Sequence, residues 1–244
     1  MRGMENKKQR KAVAGTLTAE ELKKTIGGGL SFGAAEAYKL LRTNLEFSLP
    51  DESGCKVIGI TSSLAGEGKS TTSVNLGYTM AQTGKRVLLL EADMRLPTLA
   101  GCLKVEARPG LSNLLIGQCS FSEAVQRSGL IKDYWVLCAG DTPPNPAELL
   151  NSKQMRQFIT EIKKAFDMVI IDLPPIEEVS DALIVSRLTH GVVLVVRQDY
   201  CDRRSLDDAV RKLKFANARI LGFAMTGSDI QKKGYHKDYY KKMD

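Results

Sequence analysis

The chain has 244 residues, 43% of them hydrophobic, enough for one α/β domain with a sizeable core and short extensions. Its net charge of +7 sits at the two ends, since residues 1–12 contribute +4, residues 231–244 contribute +3, and residues 13–230 are neutral. That distribution argues against a domain-wide basic face for nucleic acid, and the basic ends read as solvated or drawn to anionic membrane. Five cysteines without a C-x-x-C pair, beside two histidines, point away from zinc and iron–sulfur sites and toward reduced thiols. No apolar run reaches the roughly 18 residues of a bilayer span and no hydrophobic signal core follows Met1, so a soluble cytoplasmic protein is expected.

In chain order, Thr18-Ala-Glu-Glu21 reads as a capping box opening a short helix that Gly27-Gly-Gly29 ends. A longer helix follows over 34–48, with Ala34, Ala37, Tyr38, Leu41, Leu45 and Leu49 as its apolar stripe. Strands are expected at 57–61, 86–91, 134–138, 168–172, 191–197 and 219–225. Helices are expected at 69–83, 147–166, 179–188 and 203–216, with short helical pieces between 97 and 126. Apolar strands alternating with helices predict a doubly wound α/β fold, a mostly parallel sheet with helices on both faces. The expected divisions are a basic extension over 1–29, the domain over 30–228 and a tail over 229–244.

The segment Ile58-Gly-Ile-Thr-Ser-Ser-Leu-Ala-Gly66-Glu-Gly68-Lys69-Ser70-Thr71 carries the chemistry. A strand feeds a glycine loop that opens a helix, the context in which backbone amides wrap a polyphosphate. Ala65, Gly66, Glu67, Gly68, Lys69, Ser70 and Thr71 are the candidate nucleotide-binding residues. Lys69 adds charge at the β/γ-phosphates, and the Ser70 hydroxyl can join a Mg²⁺ shell. Ser63 stands where the usual G-x-x-x-x-G-K-[ST] pattern begins with glycine, so the strict pattern is missed by one residue.

Two acidic strand ends follow, Glu91-Ala-Asp93-Met-Arg95 and Asp172 before Leu-Pro-Pro. A carboxylate at the carboxyl end of a central parallel strand lies beside the phosphate loop, where it can hold Mg²⁺ or accept a proton. Glu91 is the weaker candidate because it can still lie within its strand.

With these three motifs in this order, the chain resembles the bacterial tyrosine kinases of capsule and exopolysaccharide synthesis, a P-loop NTPase family related to the MinD and ParA proteins. The resemblance covers about residues 30–228 and includes Gly110-Leu-Ser-Asn-Leu-Leu-Ile-Gly117, Pro143-Pro-Asn-Pro-Ala-Glu-Leu-Leu150, Asp181-Ala-Leu and Gly191-Val-Val-Leu-Val-Val-Arg197. It implies ATP with Mg²⁺ in the loop from Ser63 to Thr72, and Ser70, Asp93 and Asp172 around the metal. It makes Asp93 the candidate base for a tyrosine hydroxyl. Arg95 is left to stabilise the transferred phosphoryl group or to orient Asp93. Thr226 stands where relatives often carry an asparagine near the base of the nucleotide.

The resemblance also assigns Tyr235, Tyr239 and Tyr240 as phosphoacceptors, in a tail with almost no apolar neighbours to bury them. Twelve residues from Gly227 to Tyr239 reach roughly 40 Å when extended, enough to enter a neighbouring subunit's site. Glu36, Lys39 and Arg42 match a motif that joins subunits into a ring, with Lys39 replacing an arginine. Lysine lacks the planar bidentate contacts of arginine, so weaker assembly is expected. A separate transmembrane activator and chain-length regulator, a tyrosine phosphatase and recruitment to the inner face of the membrane are implied as well. The competing readings are a MinD- or ParA-like ATPase and an ATP-dependent switch without catalysis. Against the first, Leu64 occupies the position of the signature lysine in those ATPases.

Overall fold

The computed structural model describes residues 25–50 and 54–228. The capping box at Thr18 and the tyrosines Tyr235, Tyr239 and Tyr240 lie outside the described residues. A 3-10 turn, Gly27–Gly29, precedes α1 (Phe32–Ser48). There follow β1 (Lys56–Ser62), α2 (Lys69–Ala81), β2 (Val87–Glu91), α3 (Leu99–Leu103), α4 (Leu111–Leu115) and α5 (Phe121–Ala124). The chain continues through β3 (Gln126–Arg127), β4 (Tyr134–Leu137), α6 (Pro146–Leu150), α7 (Lys153–Ala165) and β5 (Met168–Asp172). It closes with α8 (Asp181–Ser186), β6 (Gly191–Arg197), α9 (Arg203–Phe215) and β7 (Ile220–Thr226).

The seven strands form one sheet in the order β3-β4-β2-β5-β1-β6-β7, parallel except for the β3–β4 pair. Side-chain alternation sends Leu88, Leu90, Val169 and Ile171 into one apolar layer and Val87, Leu89, Met168 and Ile170 into the other. Both faces are covered, which is why these strands read as continuous apolar runs. All five cysteines are free. Burial pushes the thiols of Cys55 and Cys201 up to about 11 and that of Cys138 up to about 12, so they remain protonated.

The single helix expected over 147–166 is two. α6 ends at Leu150, and the Ser152 hydroxyl starts α7 by accepting the Met155 amide at 3.1 Å. Ser152 as an N-cap separates helical phases that a continuous apolar pattern had joined. The short strand β3 falls where helical pieces were expected to end, and two residues are too few to carry a period. Thr25 to Gly29 dock on α2, where the Asn75 side chain accepts from Gly27 N at 2.9 Å and donates to Thr25 O at 2.8 Å.

The register of β1, β5 and β2 positions the site. Ile60 and Glu91 both pair with Asp172, so these three residues lie side by side, and β1 runs on two residues to Ser62 and into the glycine loop. The path from β1 to β2 skips over β5, which opens the crevice at the carboxyl ends where α/β sheets bind ligands.

Helix α2 lies close against the sheet at Gly77. A Cβ there would fall 2.6 Å from the Tyr134 ring, whose hydroxyl donates to Val74 O at 2.9 Å. Gly77→Ala is therefore expected to destabilise the protein by about 1–3 kcal/mol, despite alanine's better helix propensity. Urea unfolding would measure it, and adding Tyr134→Phe should recover part of the loss.

Candidate active site

Gly66 and Gly68 bend the loop with φ of +81° and +90°, a region in which L side chains are strained. Gly68 is the N-cap of α2 and has no side chain to cap the helix, so first-turn amides face outward at the positive end of the helix dipole. That is a built anion site. The Glu67 side chain turns inward and is fully buried. Its carboxylate accepts from Leu64 N at 2.7 Å and Arg197 N at 3.2 Å, tying the loop to itself and to the end of β6. The loop's outer carbonyls are held too. Tyr200 donates to Ala65 O at 3.0 Å, Arg197 to Gly66 O at 3.2 Å, and Thr226 to Glu67 O at 2.7 Å. Thr226 thus meets the loop backbone, whereas the sequence resemblance suggested only the neighbourhood of a base.

The residues expected to hold metal and phosphate converge. Lys69 Nζ lies 2.8 Å from Asp93 Oδ2 and 3.8 Å from Asp172 Oδ2. Ser70 Oγ donates to Asp172 Oδ2 at 2.7 Å and Ser73 Oγ to Asp172 Oδ1 at 2.9 Å. Burial works against the Lys69 ammonium, but Asp172 and Asp93 outweigh it and raise its pKa, so the lysine stays charged. Burial is also the largest influence on fully enclosed Asp172. It exceeds the lowering by Lys69 and the two serines and pushes the carboxyl above the usual range. The two directions agree because Lys69 has two anions near it, while Asp172 has one cation at the longer distance.

Glu91 and Arg95 take other parts. Glu91 is the last residue of β2 and is buried with Oε1 accepting from Leu99 N at 2.8 Å and from Thr98 N, and Oε2 from Ala139 N at 3.1 Å. It fastens the segment after β2 to α3 and to the end of β4, which is a structural role. Arg95 pairs with buried Asp181 through Nε–Oδ2 at 2.9 Å and Nη2–Oδ1 at 3.3 Å. Asp93 is oriented instead by the Leu96 amide, which donates to Oδ1 at 3.1 Å. Arg95 reaches Asp181 and makes no hydrogen bond to Asp93 among the described residues.

On α1, Glu36 and Lys39 form an exposed pair at 2.7 Å. Arg42 turns back into its own subunit and donates to Thr79 O at 2.9 Å near the end of α2. The three residues therefore do not present one free polar face, because the carbonyls of the last turn of α2 attract the guanidinium. Residues that sequence reasoning passed over are Ser73, Arg197, Tyr200 and, in its pairing role, Asp181. Ser73 alone had a local signal, one turn beyond Lys69 on the same helix face.

A strand–loop–helix carrying Lys69 and Ser70, flanked by a strand ending in Asp172, defines a P-loop nucleotide-hydrolase fold. In agreement, residues 55–217 match a family model described as an AAA domain. The MinD septum-site protein of Pyrococcus horikoshii, solved with Mg-ADP, superposes with a TM-score of 0.59 at 22% identity over 69% of each chain, a likeness of fold. The kinase domain of the Escherichia coli tyrosine kinase ETK superposes with a TM-score of 0.75 at 31% identity, over 79% of this chain and 74% of that one. Tyrosine-protein kinase YwqD of Bacillus subtilis is 41% identical over 84% of both chains. The chain belongs to the bacterial tyrosine kinases.

Two outcomes follow from the buried carboxylates. Glu91→Ala strands three backbone donors and is expected to lower stability by at least about 3 kcal/mol in denaturant unfolding. For Asp172 the folded pKa is raised, so ionisation opposes folding; the penalty is absent below the ordinary value of 3.8 and complete above the folded pKa. Asp172→Asn should therefore raise the melting temperature at pH 7 in EDTA, and the difference should shrink toward pH 4.

Proposed function

We propose that the protein transfers the γ-phosphoryl group of ATP to tyrosines, first of all to Tyr235, Tyr239 and Tyr240 of its own tail in a neighbouring subunit. The observation that carries this reading is the buried Lys69 ammonium between Asp93 and Asp172, at the mouth of a helix with uncapped amides. One hydroxyl and two carboxylates form a hard-oxygen donor set that fits Mg²⁺, with Ser70 and Asp172 holding it and Asp93 beside them. The metal would supply charge neutralisation for the polyphosphate.

The chain's own groups then act by position and charge. Amides of Gly66 to Ser70 hold the β-phosphate, and Lys69 turns its ammonium from Asp93 to the β/γ-phosphate oxygens. Asp93, released from that ion pair, accepts the phenolic proton as the tyrosine oxygen bonds to the γ-phosphorus and the bond to the ADP oxygen breaks. Arg95, held by Asp181, keeps the segment carrying Asp93 in place. By resemblance, the protein works in capsular or exopolysaccharide polymerisation and export with a transmembrane activator, and a phosphatase resets it. Subunits would associate through the exposed Glu36–Lys39 side of α1, where Phe32 and Leu40 are also exposed.

Incubation with labelled ATP, Mg²⁺ and the activator's cytosolic segment should place label on tail tyrosines. Lys69→Met should abolish it, and Asp93→Ala should slow it by at least about 100-fold. Label on serine, or label surviving in Lys69→Met, would overturn the kinase reading. Phosphate release without protein label would identify an ATPase.

A further inference from the structure

The neutrality of residues 13–230 conceals a separation of charge along the strand direction. At the carboxyl ends of the strands lie Glu67, Glu91, Asp93, Asp172 and Asp181, countered by Lys69, Arg95 and Arg197. The amino ends form the opposite pole. Lys56 N donates to Asp167 O, Asp167 N to Arg86 O, Val87 N to Asp133 O and Val192 N to Arg219 O, so these residues share one end of the sheet. The last turn of α1 reaches the same end, through Arg219 to Ser48 O at 2.9 Å and Lys85 to Glu46 at 2.6 Å.

Among the described residues, the acids Glu46, Asp133, Glu161 and Asp167 of this end are each met by a base, namely Lys85, Arg127, Lys164 and Arg86. Lys163, Lys212 and Lys214, in the last turns of α7 and α9, enter no ion pair among the described residues, and Arg219 meets only a neutral carbonyl. Phe215, next in sequence to Lys214 and three residues after Lys212 on α9, stands almost fully in solvent at 91% exposure. Lysines in last helical turns answer the helix dipole, but that does not account for a bare aromatic ring next to them.

We infer that this pole, with Phe215 beside Lys212 and Lys214 and with Lys163 and Arg219 at the same end of the sheet, is a docking surface for an anionic lipid bilayer. Lysines beside exposed aromatic rings are the pairing that an acidic membrane interface attracts: the ammonium groups meet lipid phosphates and the rings enter the headgroup boundary. Long apolar lysine stems allow both at once. The nucleotide loop lies at the opposite ends of the strands, so docking at this pole turns it away from the bilayer. Phosphoryl transfer would then proceed in the aqueous phase, with the membrane contact independent of any protein partner.

The test is sedimentation of the full chain with vesicles of phosphatidylglycerol and phosphatidylcholine, compared with phosphatidylcholine alone, at low and high salt. Binding is expected only to the anionic vesicles, weakening as salt screens the charges. Lys212→Glu with Lys214→Glu should weaken partitioning about tenfold or more. Phe215→Ser should weaken it at unchanged melting temperature, since the ring is exposed. The basic ends of the chain are present in every variant, so the differences isolate this pole. If both variants bind like the parent, the inference is wrong. Equal binding to duplex DNA, with the same sensitivity to the variants, would also overturn it in favour of a nucleic-acid surface. No nucleotide is needed, so the outcome is separate from that of the phosphoryl-transfer assay.

Discussion

The rest of the site depends on one buried ammonium. Lys69 brings a cation into a nearly dry place at the start of α2, and two carboxylates from different strands make that tolerable. An isolated charge there would be strongly penalised, and each carboxylate alone would be too. The group of three is stable only where the ends of β5 and β2 lie beside the loop that leaves β1, which the parallel register provides. Ser70 and Ser73 satisfy the oxygens of Asp172 that the lysine does not. Such a set can exchange partners, because a phosphate anion can replace Asp93 as the partner of Lys69 without leaving a buried cation alone.

Around it, side chains hold backbone. Glu67, Arg197, Tyr200 and Thr226 each bind a main-chain group of the loop, and Glu91 binds three amides beyond β2. The Asp181–Arg95 pair fixes the same segment from the other side. Asp93 is thereby placed within a stretch secured at both ends, while the functional amides of the loop stay outward. Groups preset in this way need little rearrangement when charge develops, the condition under which electrostatic catalysis is effective.

A parallel sheet also makes the two ends of the molecule unlike. Strand carboxyl ends and helix N-termini gather on one side, with the acids and phosphate-facing amides. Helix C-termini gather on the other, where lysines accumulate against exposed carbonyls. Charges that cancel over residues 13–230 of the sequence are therefore separated in space.

By itself the sequence determined the alternating fold, the phosphate loop and the strand-end carboxylates, because each is written in neighbouring residues. Apolar runs ending in Glu91-Ala-Asp93 or Asp172 announce strands, and Gly66-Glu-Gly68-Lys69-Ser70 announces a turn into a helix. The tertiary structure alone decided what these residues do to one another. Glu91 and Asp93 are two apart and equally acidic, yet only packing sends one to backbone amides and the other to Lys69. Arg95 meets Asp181 across 86 positions, and Arg42 leaves its expected face for a carbonyl of α2. The break at Ser152 depended on which of two hydrogen-bonding options a serine took. The polarity of the charges was invisible for the same reason: sequence gives their number and order, and only the register of parallel strands gives them an end.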